Sequence, residues 1–192
     1  MSSTQVTSLP QRPYSMHPKK FALWLFLTSV VMMFAAFTSA YLVKMSDGNW
    51  LEMELPTSMW VNTFVLLISS GTMHWSLVSA RKDNMDQLKI GLWLTLGLGT
   101  AFLMGQYISW TDLVAGGVFF VGNPAGSFIY VLTGMHGVHL ISGLAVLLFV
   151  LGATYRYRIH SRKMTVLEMC STYWHFLGGL WLYLFIFLLL NH

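Results

Sequence analysis

Residues 126–152, GSFIYVLTGMHGVHLISGLAVLLFVLG, carry no formal charge and are long enough to cross a bilayer as one helix. About 20 apolar residues suffice for that crossing. Two histidines sit near the middle of the run. A polar group at that depth is costly unless protein, a lipid headgroup or water meets it. His136 and His139 are three residues apart, so they share a helical face. Gly134, Gly137 and Gly143 thin the same segment, and Thr133-x-x-x-Gly137 is a small-xxx-small pair that admits a second helix closely. Such a helix has to be surrounded by others.

The rest of the chain supplies them. Of its 192 residues 55% are hydrophobic and 9% charged, the composition of an integral membrane protein. Five runs are long enough to span: about 21–43, 59–80, 88–110, 126–152 and 166–190. Backbone groups in lipid must bond within their own segment, so the predicted fold is all-α, one transmembrane domain of five helices over 21–192. Residues 1–20 are polar and hold no apolar core for a cleaved signal, and a mobile tail is expected there. Ala36-x-x-x-Ala40 is a candidate close-packing stripe in span one. Thr57 and Ser58 are candidate N-caps of span two, and Thr165 with Glu168 forms a candidate capping box at span five.

Charge orients the bundle. Arg12, Lys19 and Lys20 precede span one; Arg81, Lys82 and Lys89 follow span two; Arg156, Arg158, Arg162 and Lys163 follow span four. Ten of the eleven Lys and Arg therefore fall on one side, with Lys44 the exception. The positive-inside rule places the N-terminus inside and the C-terminus outside. Topology and anionic headgroups account for the net charge of +4, and nucleic acid is not needed as a partner.

Chemistry of its own is scarce in this chain. Cys170 is the single cysteine, so no internal disulfide can form, and metal, P-loop, dinucleotide and serine-hydrolase patterns are absent. The intramembrane set His74, His136, His139 and His175 is the one candidate. Bis-histidine haem ligation needs two imidazoles on opposite sides of one porphyrin, which His136 and His139 on one face cannot supply. A pair at matched depth on two helices stays open, although no spacing signals it. The bland alternative is a hydrogen bond from each histidine to a neighbouring helix or headgroup. No acid lies well inside a span to build a proton relay; only Glu168 comes close.

Thr133-Gly134-Met135-His136-Gly137-Val138-His139-Leu140-Ile141-Ser142-Gly143 resembles the TGxHGxHVxxG segment of subunit III of the haem-copper terminal oxidases, the cytochrome c oxidase subunit 3 family. Glu168, then Tyr173-Trp174-His175-Phe176 and Trp181, is similar to its E-x4-YWHFVDxVW segment. The likeness continues through Leu23–Tyr41, Asn62-Thr63 to Trp75, and Phe102-Leu103 with Gln106, in the family's order and in its five-helix form. Three family acids are replaced, by Val30, Ser109 and Gly178. If those acids contact the histidines in relatives, the histidines here should be neutral or satisfied by hydroxyls.

The resemblance implies an accessory subunit without catalytic, cofactor-binding or metal-binding residues of its own, in a complex that reduces oxygen to water and pumps protons. Haem and copper would belong to the partner subunits I and II. This chain would pack on subunit I, bind phospholipids and support proton uptake and stability during turnover. Cytochrome c or quinol would act on the complex, and membership of a larger respiratory assembly stays open. His136, His139, Glu168, Trp174 and His175 are the expected lipid or subunit contacts. The expected location is the bacterial inner (plasma) membrane, with an organellar inner membrane as the lesser alternative. Two alternatives use the same residues: an accessory subunit of a quinol oxidase or nitric oxide reductase, and a small b-type haem membrane protein that uses its own histidines.

Overall fold

The computed structural model describes residues 18–46, 50, 56–156 and 164–191. They form five helices: α1 (Pro18–Met45), α2 (Thr57–Arg81), α3 (Met85–Ala115), α4 (Pro124–Tyr155) and α5 (Thr165–Leu190). All five are long and apolar enough to cross a membrane. Each contains the span expected from the sequence and runs past it at one end or both. Residues 1–17 of the expected tail lie outside the described residues, whereas Pro18, Lys19 and Lys20 already belong to α1.

Two helix starts follow the capping rules. The Asn84 side chain accepts the Gln87 N–H at 3.3 Å, and the Asn123 side chain accepts the Ala125 N–H at 2.8 Å with Pro124 opening α4. Two others depart from the sequence expectation. Helix α2 starts behind Pro56 without a side-chain cap, because Ser58 donates to Asp112 instead (3.0 Å). Helix α5 is capped by Met164, one residue before Thr165, so Thr165 and Glu168 stand one position too far in to form a capping box.

Helices α2 and α3 form the most extensive pair, joined by a tight turn in which Asp83 takes φ 57°. Helix α3 packs on α4, α4 on α5, and α5 returns to α2, so four helices close a ring. Helix α1 lies outside it and, among the helices, packs on α4 and α5, with Trp50 against its Tyr41 (ring centroids 4.6 Å). Its inward stripe is Leu27, Val30, Phe34, Thr38 and Tyr41. Ala36 and Ala40, expected as a packing stripe, are exposed instead.

Without water to expel, helices in lipid associate through close van der Waals contact and buried hydrogen bonds. Glycines provide that closeness here. A Cβ on Gly99 would come within 2.7 Å of the Trp174 ring, and one on Gly143 within 2.9 Å of Leu177. The indole of Trp174 thus wedges between α3, α4 and α5, and its N–H donates to Ser69 Oγ on α2 at 3.1 Å. One side chain ties together all four helices of the ring.

Candidate functional site

The four intramembrane histidines occupy three environments. His136 is fully buried, its ring 5.9 Å from Phe102 and 5.1 Å from Trp181, and neither ring nitrogen has a hydrogen-bond partner among the described residues. His139 turns instead toward α1. Its ring lies 5.8 Å from Phe34 and 6.5 Å from Phe26, and its Nδ1 bonds the Met135 carbonyl at 2.7 Å. The face the two were expected to share is therefore divided between the ring interior and the α1 contact. His74 and His175, which no spacing linked, come together with ring centroids 6.3 Å apart. Ser70 Oγ and His175 Nδ1 share a hydrogen bond of 2.5 Å.

His74 and His175 open onto a cavity of about 420 Å³ between the start of α1, the end of α2 and the start of α5. Lys20, Arg81 and Glu168 also line it. Lys20 Nζ reaches Glu168 Oε2 at 2.8 Å and bridges α1 to α5. With both side chains partly exposed, such a pair contributes at most about 1 kcal/mol. Arg81, in the last turn of α2, has no carboxylate partner among the described residues. The pocket therefore presents an uncompensated guanidinium beside two imidazoles.

A second cavity of about 220 Å³ runs along α2 and α5 and shares His175 with the first. Leu66, Leu67, Leu182 and Trp181 make it apolar, and Gly178 and Gly179 leave its floor open, with nothing within 4 Å of an added Cβ. The polar, cationic chamber and the apolar slot thus meet at His175.

Of the five expected contact residues, the structure brings Glu168 and His175 together at this pocket. His139 is half-buried at the α1 joint, while His136 and Trp174 are interior. Lys20 and Arg81 were legible only as topology charges, and Ser70 gave no signal at all. At the replaced acids, Val30 is buried in α1, Ser109 donates to Ser58 Oγ at 2.9 Å, and Gly178 lines the slot. Among the described residues His175 meets a hydroxyl and His139 a carbonyl, while His136 has no hydrogen-bond partner.

A model of the cytochrome c oxidase subunit III family matches residues 13–191. The cytochrome c oxidase subunit 3 of Thermostichus vulcanus is 31% identical over 182 residues, 88% of this chain and 86% of that protein. That of Synechocystis sp. is 33% identical over 181 residues, covering 88% and 75%. That of Corynebacterium diphtheriae is 28% identical over 169 residues, covering 84% and 82%. Five membrane-crossing helices, the paired histidine and tryptophan segments and these matches agree: the chain belongs to the cytochrome c oxidase subunit III family.

Proposed function

We propose that this chain is the non-redox accessory subunit of a proton-pumping oxygen reductase driven by cytochrome c. In it, haem and copper sit in subunits I and II, and this chain packs on subunit I in a bacterial inner membrane. It holds an anionic phospholipid and so supports proton uptake and stability through turnover. The observation that carries the lipid part is the cationic chamber of Arg81, Lys20, His74 and His175, which meets the α2–α5 slot at His175. A phosphate diester would accept from Arg81 and the imidazoles. One acyl chain would follow Leu66, Leu67 and Leu182. The chamber lies at the end of the bundle that carries Lys19, Lys82 and Arg156, the end facing anionic headgroups in the proposed orientation.

One purification tests both parts. The tagged chain is extracted gently, and its companion subunits, visible spectrum and retained lipids are recorded. Haem- and copper-bearing subunits are expected with it, and the spectrum should stay with them when this chain is stripped away. Arg81→Gln should weaken retention of a tightly held anionic phospholipid about 5-fold, the equivalent of about 1 kcal/mol for one basic group near the surface. The variant complex should also inactivate after fewer turnovers. Haem absorbance in the isolated chain would overturn the accessory role, and unchanged lipid retention would overturn the site.

A further inference from the structure

Three helices carry polar side chains into the interior that no hydrogen bond reaches. Asn62 on α2, Gln106 on α3 and His136 on α4 are 4%, 3% and 0% exposed. The Asn62 amide nitrogen, both polar atoms of the Gln106 side chain and both His136 ring nitrogens lack a hydrogen-bond partner among the described residues. The three lie at one level. Thr63, next to Asn62, accepts the Trp181 indole N–H at 3.0 Å, and that indole is 5.1 Å from the His136 ring. Phe102, one turn from Gln106, lies 5.9 Å from the same ring. Asn62 also abuts Gly105, where a Cβ would collide with its amide.

There is room beside them. Trp110 donates to Thr133 Oγ1 at 3.0 Å, and Gly99 faces Leu144. These contacts fix one antiparallel register between α3 and α4, and that register sets Gln106 opposite Gly137. Gly137 is buried, yet a Cβ built on it meets nothing within 4 Å. Gly99 and Gly143, by contrast, are closed to 2.7 and 2.9 Å. By that register the open position at Gly137 stands level with Gln106 and next in sequence to His136.

A polar track leads outward from it. One turn from Asn62 and Gln106, Ser109 donates to Ser58 Oγ at 2.9 Å, and Ser58 donates to the exposed Asp112 carboxylate at 3.0 Å. A buried polar group left unpaired costs more than an ordinary hydrogen bond contributes. Water answers that cost where a site is both polar and roomy, each molecule making two to four hydrogen bonds.

We propose that α2, α3 and α4 enclose an internal water site, bounded by Asn62, Gln106 and His136, with its space provided at Gly137. About two waters satisfy the five unpartnered atoms. They bond the His136 imidazole and form the inner end of the track through Ser109 and Ser58 to Asp112, so the site exchanges with the surface at that end of the bundle. The site is separate from the cationic pocket, which opens at the other end.

Two variants of Gly137, each in the assembled complex, test the proposal by sign. In a dry hollow Gly137→Ala is the better variant, because helix propensity favours Ala over Ser and a buried hydroxyl has no use there. In a wet, polar hollow Gly137→Ser takes over the bonds of a displaced water. We expect Gly137→Ser to release from the complex about 2–4 °C higher than Gly137→Ala on heating. An Ala variant equal to or above the Ser variant would overturn the site. A density map of the complex that resolves ordered water is the second measurement. Water density within hydrogen-bond reach of Gln106 and His136 is expected, and direct bonds between those side chains with no density between them would overturn the proposal.

Discussion

Trp174 shows how a single residue sets the tolerance of its neighbours. Its ring fills the space left by Gly99 and Gly143, and its N–H is spent on Ser69. Gly99→Ala drives a methyl into the Trp174 ring and Leu144, and overpacking of that kind costs about 1–3 kcal/mol. Gly97, two residues along the same helix, has nothing within 4 Å of an added Cβ, so Gly97→Ala should be neutral or slightly stabilising. Thermal release of the two variants from the complex checks the contrast; equal behaviour would remove the wedge. Residue identities in this core were visible in the sequence, but their pairings were not. His74 and His175 stand on helices about a hundred residues apart, and only the return of α5 onto α2 brings them to 6.3 Å. Glu168 was visible as a terminal acid, yet its partner is Lys20 of another helix rather than its own backbone.

At the scale of elements, the helices themselves were legible because the hydrocarbon core permits little else: a charge-free run of sufficient length must close its own hydrogen bonds. Their ends were less so. A cap depends on one residue's register, and Met164 ahead of Thr165 is enough to undo the capping box. Helix α1 is the helix held least, since among the helices it packs only on α4 and α5. Phe34, 1% exposed, contacts the His139 ring and Phe37, while Lys20 to Glu168 and Thr38 to the Tyr183 hydroxyl (3.0 Å) add polar ties. Phe34→Ala removes the largest inward side chain of the stripe apart from Tyr41, a loss of about 3 kcal/mol. Limited proteolysis in detergent should then cut near α1 first, with the α2–α5 ring surviving as a fragment. Simultaneous loss of all five helices would mean that α1 is integral to the ring.

For the whole molecule, the remaining question is which end of the ring faces which compartment, and charge sets the expectation. Lys19, Lys20, Arg81, Lys82 and Arg156 gather at the end that holds the cationic pocket, while Asp112 marks the opposite end. Successive helix crossings alternate sides, so one orientation puts every one of these basic residues in the cytoplasm and the other puts all of them outside. Transfer of so many cations across the membrane during insertion is the costly alternative. Cys170 is buried and is the single native cysteine, which leaves a simple labelling experiment in a Cys170→Ser background. Val121, in the connection between α3 and α4, is 80% exposed; Lys82 stands at the turn between α2 and α3. Val121→Cys should react with a membrane-impermeant maleimide on intact cells, and Lys82→Cys only after the membrane is opened. The reverse pattern would place the cationic pocket against the outer leaflet and detach it from cytoplasmic anionic lipid, and the polar track from Asp112 would then open to the cytoplasm. Because the five crossings are rigidly alternated, these two positions fix the orientation of every loop at once.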